Sequence, residues 1–450
     1  MTETRYAEDV RLADLVARHD VGHLEQWLEQ RPAYEIADEI SRADQVTAGV
    51  CFRLLPKDRA VEVFGELDGN EQQKILSAVR DQSFRDIVEG MDPDDRARLL
   101  GEAPANFTQR VLAGLSARER ELTAPLLGYD AGSVGRYMTP EMVRLKEQST
   151  VGEALERVRR EGAEAETVNT LPVTDAGRRL IGVVLLRDLV LADPQDPLTG
   201  LVDPAHPRAH AADTAESAAR LMQEANLLDL PVVDSEDRIV GLLTIDDALE
   251  VIEAADTEDI ARQSAASPLD GHYMSVGVVR VARSRVVWLL LLIIAATLTA
   301  KVLQAFEGEL EEVTALAIFI PLLVGTGGNV GAQAATGAVR AIAVGEVRPG
   351  DVIRVVWREC RVGFLLGSML GAVGLLFAWV MVDDSGIAVT VALTLVVVCA
   401  WAAVIGGAMP LFARKVGIDP AVISAPLVTT FVDATGLIIY FLIARAVLGL

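Results

Sequence analysis

Cysteine and histidine are scarce in this 450-residue chain, which has three of the first and five of the second. Cys51, Cys360 and Cys399 are isolated and form no CxxC pair, which excludes a disulfide framework. His19, His23, His206, His210 and His272 show no H-E-x-x-H or other ligand spacing, which argues against a zinc site. A Gly-Lys-Ser/Thr phosphate loop is also missing. The net charge of −23 rules against a nucleic-acid binder, and a 51% hydrophobic content rules against a disordered chain.

The charge is unevenly spread. Residues 1–279 hold 29 Lys and Arg against 53 Asp and Glu, while residues 280–450 hold 12 against 11. The second part carries five apolar runs long enough for a bilayer core, which takes about 20 helical residues: 286–306, 313–339, 362–382, 386–413 and 420–443. With the N-terminus inside, the inner flanks hold ten basic residues, among them Arg280, Arg340, Arg358 and Arg414, and the outer flanks only Lys301 and Arg445. Retention of basic residues on the cytoplasmic side therefore places the N-terminus in the cytoplasm and the C-terminus outside. The charged start from Glu3 is expected to exclude a cleavable signal peptide. Glu307, Glu309, Glu311, Glu312, Asp383 and Asp384 make the outer loops acidic. That composition suits a cation vestibule and follows equally from the exclusion of Lys and Arg.

Residues 1–130 read as a helical domain. Apolar residues at spacings of three and four mark short helices at 12–16, from 40 onward, and at 59–67, 72–79, 84–91, 94–100 and 107–115. Asp92, Asp94 and Asp95 read as a helix start.

Residues 131–248 contain a repeat at an offset of 59. Leu171-Pro172-Val173-Thr174-Asp175, Arg179 to Val184 and Arg187-Asp188 return as Leu230 to Asp234, Arg238 to Leu243 and Asp246-Asp247. Each copy, about 137–195 and 200–248, reads as strand, turn, strand, helix behind an amphipathic helix. The pattern, entered by Tyr137-Met138-Thr139-Pro140, resembles a tandem cystathionine-β-synthase (CBS) pair. That likeness implies a dimerising module that binds an adenosine nucleotide, ATP, with Arg187, Asp188, Thr244 and Asp247 at the ribose and phosphate positions. Helix-start capping by Thr244 and Asp247 is the competing reading.

Residues 249–280 form a connector that opens with an acidic helix over 249–260, whose carboxylates recur every three or four residues. It reads either as a solvated connector or as an acidic face that closes when a divalent cation bridges it.

The second span contains Pro321-Leu322-Leu323-Val324-Gly325-Thr326-Gly327-Gly328-Asn329-Val330-Gly331, too rich in glycine and amide for a lipid-facing helix. The fifth opens Asp419-Pro420-Ala421 and continues Ser424-Ala425-Pro426-Leu427-Val428-Thr429-Thr430-Phe431-Val432-Asp433-Ala434-Thr435-Gly436. A carboxylate inside a span is costly unless it faces water, a partner or an ion, so Asp433 marks a functional site.

These two motifs, Phe306-Glu307 at the end of the first span, and the order of helical domain, CBS pair, acidic helix and five spans resemble the MgtE family of bacterial magnesium transporters and channels. The resemblance implies a multidomain, non-enzymatic protein of the bacterial inner membrane: an all-α N-terminal domain, an α/β CBS pair, a plug helix and an all-α transmembrane domain over 281–450. It also implies a homodimer with a Mg2+ pore between subunits, lined by Asp433, Asn329, Gly325, Gly328 and Thr429. Cytoplasmic Mg2+ would close that pore through Glu216, Asp247, Glu250, Glu258, Asp259 and Asp94 or Asp95. Thr214, Asn226 and Ala255 stand where the family pattern implies acids, which implies weaker closure or closure at higher Mg2+. Ala425 stands where it implies a polar side chain, which implies relaxed selectivity. Magnesium suits the donor set, because it keeps its waters and is met through carboxylates. A less selective divalent-cation carrier coupled to an ion gradient, and a membrane-anchored nucleotide sensor or enzyme without transport, are the alternatives.

Overall fold

The computed structural model describes residues 12–17, 21–67, 69, 71–72, 75, 87–103, 105–269, 276–423 and 425–450. They fall into two compact units, the first within residues 1–255 with 270–276 and the second within 256–269 with 277–450.

The first unit begins with short helices: Leu12–Ala17, Val21–Gln30, Ala33–Arg42, Gln45–Leu54, Lys57–Gly65, Pro93–Glu102, Ala105–Gly114 and Ala117–Leu126. No strand occurs among the described residues of 12–126. Their spacing of apolar residues buries Leu24, Ile36, Ile40, Val63, Phe64, Val88 and Leu100 in one core. The helix expected from Ile40 onward is two helices: Ala33–Arg42, which starts after Pro32 and ends just past Ile40, and Gln45–Leu54. That expected over 72–79 lies largely outside the described residues, and of that expected over 84–91 residues 87–90 are helical. Arg96 is fully buried and ties this region together. It donates to Val88 O at 2.7 Å, to Thr123 Oγ1 at 2.8 Å and to Glu119 Oε2 at 2.7 Å.

The repeat folds as two equal sheets. In one, β1 (Leu145–Lys146) pairs parallel with β2 (Thr170–Thr174), which pairs antiparallel with β3 (Leu180–Leu185). In the other, β4 (Ala209–His210), β5 (Asp229–Val233) and β6 (Ile239–Thr244) do the same. The offset of 59 extends to irregularities: the register shifts fall at Val173/Thr174 and Val232/Val233, and the turns place Arg178 and Asp237 at φ of 67° and 61°. Helix Val151–Glu161 opens with a capping box between Thr150 and Glu153, and Ala215–Ala225 starts at Thr214. The acidic helix is not a separate element. One continuous helix runs Ile245–Gln263, because no Gly or Pro interrupts it.

The second unit holds five helices long and apolar enough to cross a membrane: Val278–Ala305, Leu316–Ala343, Val352–Val382, Ser385–Lys415 and Ala425–Leu448. The first and third start before the apolar runs at 286 and 362, since helical hydrogen bonding continues through Arg280, Arg283, Arg354, Arg358 and Arg361 while hydropathy does not. The fourth helix is the most enclosed and the first the least. Gly363, Gly367 and Gly371 let the third helix approach the fourth closely. A Cβ at Gly367 would lie 2.7 Å from Val396 Cα, and one at Gly371 2.9 Å from Ala392 O. This small-residue face is therefore used inside the chain.

Candidate ion path and carboxylate junction

Asp433 sits on the fifth helix where it meets the glycine-rich stretch of the second. Its Oδ1 is buried and has no hydrogen-bond partner. Glycine permits the close approach opposite: a Cβ at Gly328 would lie 2.7 Å from Thr429 Cγ2 and 3.3 Å from Asp433 Oδ1. Thr429 is one turn before Asp433 and donates to Ala425 O at 2.9 Å, with Gly328 O at 3.5 Å. Thr430 donates to Pro426 O at 2.8 Å. These back-bonds consume the hydroxyl protons and leave the hydroxyl oxygens as acceptors. Gly325 and Asn329 lie on one face of the second helix at a spacing of four, and both are exposed in the single chain. Asp433, Gly328 and Thr429 are thus brought together, with Gly325 and Asn329 on an open face beside them. Ser424, part of the motif, lies outside the described residues. A buried, unpartnered carboxylate oxygen flanked by hydroxyl and carbonyl oxygens is a donor set for a hard cation.

A second group of carboxylates lies in the first unit. Asp94, Asp95 and Asp247 offer oxygens within 4.8 Å of one another, as do Glu166, Asp246 and Asp247. The first turn of helix Pro93–Glu102 presents Asp94 inward, 2% exposed, instead of using it as a cap. Asp92 occupies the cap position without a side-chain cap bond. Burial, then repulsion from Asp247 and Glu166, holds the Asp94 carboxyl well above the usual range, and it shares a hydrogen bond with Asp247. Asp94 Oδ1 has no partner. Burial pushes Asp247 up to about 6 despite the opposing pull of Arg98, and Thr244 Oγ1 donates to its Oδ2 at 2.9 Å. Glu166 exposes much of its surface, yet burial of its acid end and repulsion from Asp247, Asp92 and Asp246 push it up to about 8. Carboxylates crowded this way hold protons until a cation replaces them.

The other expected residues lie apart from this group. Glu216 is exposed and pairs with Arg220 at 2.8 Å. Glu258 pairs with Arg262, which also pairs with Asp419 between the fourth and fifth helices. Asp259 lies beside Glu258 on the same helix. Arg187 and Asp188 pair with each other at 3.3 Å at the exposed start of helix Leu186–Leu191. The departures have local reasons. Thr214 caps its helix by accepting from Ser217 N at 3.3 Å, and Asn226 ends it at φ 54°, a left-handed conformation that asparagine tolerates.

Sequence reading missed Glu166, Asp246, Arg98 and Arg262. The repeat holds the one available signal, since Asp246 aligns with Arg187, which makes the second copy acidic where the first is basic. Arg98 contacts Asp95, Asp247 at 3.5 Å and Glu250 at 2.6 Å, and nothing local in the sequence announces a partner so distant.

Residues 320–443 match a family model described as MgtE, a divalent cation transporter. Residues 31–132 match the MgtE intracellular N domain, and 134–194 and 205–254 match CBS domains. The chain is 40% identical over 404 residues to the magnesium transporter MgtE of Thermus thermophilus, covering 89% of each chain. It is 30% identical over 392 residues to the magnesium transporter MgtE of Bacillus subtilis, covering 87% of this chain and 86% of that one. The crystal structure of the cytosolic domain of the Mg2+ channel MgtE in complex with ATP is similar to this chain at a TM-score of 0.50 and 34% identity, covering 54% of this chain and 98% of that one. With its five membrane helices and CBS pair, this chain belongs to the MgtE family of divalent cation transporters.

Proposed function

We propose that the chain carries Mg2+ across the bacterial inner membrane through a pore formed by two copies, with the N-terminus cytoplasmic and the C-terminus outside. The observation that carries this reading is Asp433, whose buried Oδ1 has no partner inside the protomer. Two such carboxylates facing one path would hold a hydrated divalent ion through its water shell, adding charge without demanding dehydration. Thr429, Asn329 and the backbone at Gly325 and Gly328 supply neutral oxygens to the same shell. The magnesium transporters to which the chain is similar support Mg2+ as the substrate. The domains divide the work: 1–130 and 131–248 sense, 249–280 transmits and 281–450 conducts.

Cytoplasmic Mg2+ closes the path by binding the acidic surfaces of the first unit and the connecting helix. The residues of the junction fit a divalent ion, since Asp94 Oδ1 is orphaned in a junction that also holds Asp247, Glu166 and Asp246. Glu250, Glu258, Asp259 and Glu216 extend the acidic surface. With Thr214, Asn226 and Ala255 lacking charge, closure requires more Mg2+ than a fully acidic surface would. ATP binds the first CBS copy at Arg187 and Asp188. In the second copy, Thr244 and Asp247 bind each other and Asp246 adds negative charge, which opposes a polyphosphate.

The test is Mg2+ flux into liposomes holding the purified chain or Asp433→Ala, with Mg2+ varied on the CBS side. Flux that needs Asp433 and falls as Mg2+ rises supports both pore and gate. Equal flux in the two proteins removes Asp433 from the path and refutes the reading.

A further inference from the structure

Asp95, Asp247 and Glu250 meet at one guanidinium. Arg98 projects from helix Pro93–Glu102 with Nη1 2.6 Å from Glu250 Oε2, and with Nη2 on Asp95 Oδ1 and 3.5 Å from Asp247 Oδ1. Its Cζ lies 5.5 Å from the Tyr137 ring centroid, so an aromatic face from the entry to the CBS pair braces the fork. The side chain is 24% exposed. One cation on the helical region is therefore shared by two carboxylates of helix Ile245–Gln263 and one of its own helix.

We propose that Arg98 is a tethered counter-cation that fills one of the cation positions at this junction, between Asp95, Asp247 and Glu250, and leaves a divalent ion only the side of Asp94, Glu166 and Asp246. The inference rests on the reading of this junction as the Mg2+ sensor. Two observations divide the group in this way. Arg98 and Thr244 Oγ1 each take one oxygen of Asp247, while the orphaned buried oxygen belongs to Asp94, to which Arg98 makes no ion pair. Stabilisation by a bound ion scales with its concentration and vanishes when the ion is removed. Stabilisation by a side chain of the protein does not. With Arg98 in place, the helical region stays docked on the second CBS copy without Mg2+, and the ion adds a smaller increment than it would to carboxylates alone. The cation is also planar and forked, so it satisfies two carboxylates in directions that a compact ammonium does not.

Hydrogen exchange on the full-length chain in detergent tests this, in EDTA and in saturating Mg2+, for the wild type, Arg98→Gln and Arg98→Lys. In EDTA, amides of 93–102 in Arg98→Gln exchange about tenfold faster than in the wild type, the scale expected for losing several partly exposed charged contacts at once. In saturating Mg2+ they return to within about twofold of the wild type, which shows an intact fold, and Arg98→Lys lies between. Equal exchange of wild type and Arg98→Gln in EDTA overturns the proposal. So does fast exchange of Arg98→Gln that Mg2+ leaves unchanged, because Arg98 is then a packing residue of its helix. Wild-type flux indifferent to Mg2+ refutes the gating reading instead, and leaves the exchange result to be judged by itself.

Discussion

Replacement of glycines by alanine ranks the membrane helices by how closely they approach. At Gly325 an added Cβ meets nothing within 4 Å. Gly325→Ala is expected to raise the thermal stability of the protomer by the helix preference for alanine, about 0.5–1 kcal/mol. At Gly328 the Cβ falls 2.7 Å from Thr429 Cγ2, about 1 Å inside a relaxed carbon contact. Thr429 has little freedom to turn away, since its hydroxyl is bonded to Ala425 O at 2.9 Å. Overpacking of this kind costs about 1–3 kcal/mol, so Gly328→Ala nets close to neutral or about 2 kcal/mol destabilised. At Gly363 the nearest atoms are backbone, with Ala400 Cα at 2.7 Å. The third and fourth helices must separate, at about 3 kcal/mol or more. Thermal unfolding of the three variants in one detergent gives the order Gly325→Ala, Gly328→Ala, Gly363→Ala from most to least stable. Because the Gly328 Cβ also lies 3.3 Å from Asp433 Oδ1, its variant loses flux out of proportion to stability. Equal midpoints for Gly325→Ala and Gly328→Ala, or wild-type flux in Gly328→Ala, would refute the close approach of the second and fifth helices on which the ion path depends.

Other perturbations test separate parts of the chain. Arg96→Met removes a fully buried guanidinium and leaves Glu119 and several carbonyls unmet. It should destabilise the helical region by about 3–5 kcal/mol, seen as an early unfolding transition, whereas a shift under about 1 kcal/mol would mean that water reaches the site. Tyr440→Phe loses the buried bond from the hydroxyl to Leu316 O at 3.0 Å and should cost about 1–3 kcal/mol, with flux retained in the surviving protein. Without divalent ions, docking at the carboxylate junction depends on pH. Asp94, Asp247 and Glu166 titrate above the usual carboxylate range when docked, the latter two near 6 and 8, so the docked form binds more protons. The stabilisation is complete below the usual range, at about pH 4, and is lost as pH rises through 6 to 8. Exchange of 93–102 in EDTA, corrected for intrinsic rates, should rise over that interval, and a flat or falling profile would contradict the assignment. Mg2+ binding near pH 6.5 should release protons in calorimetry with buffers of different ionisation enthalpy.

The parts legible in the sequence were those whose signal is local or periodic. The repeat could be read because both copies solve the same strand pairing, down to the non-glycine residues Arg178 and Asp237 in left-handed turns. Asp433 stands out because an apolar run makes one carboxylate conspicuous, and the structure leaves its Oδ1 buried without a hydrogen-bond partner. Helix ends were less legible. The third membrane helix starts at Val352 and not at 362, since Arg354, Arg358 and Arg361 extend a helix past the apolar zone. Ala117–Leu126 was missed because its apolar positions form no clear face and Pro125 lies inside it. The pairings of Arg98 with Glu250 and Arg262 with Asp419 were beyond reach, because residues separated by 152 and 157 positions meet only through the fold.

The positions at which the resemblance implies acids, and the acids around them, share a physical reading. Thr214 and Asn226 serve the ends of helix Ala215–Ala225, one as N-cap and one as left-handed C-cap, without adding charge. Elsewhere in the chain, acids that remain are met by arginines: Glu216 by Arg220, Asp95 and Glu250 by Arg98, and Glu258 and Asp419 by Arg262. An uncharged side chain and an arginine partner each lower the repulsion that a divalent ion would relieve, and differential affinity for the two states is all that an ion can use to shift them. Arg262→Gln tests this away from the first unit: with Glu258 and Asp419 no longer paired to Arg262, half-maximal closure should move to lower Mg2+ as the local negative charge recruits the ion. A shift to higher Mg2+ would show instead that the Arg262 pair is itself the closing contact.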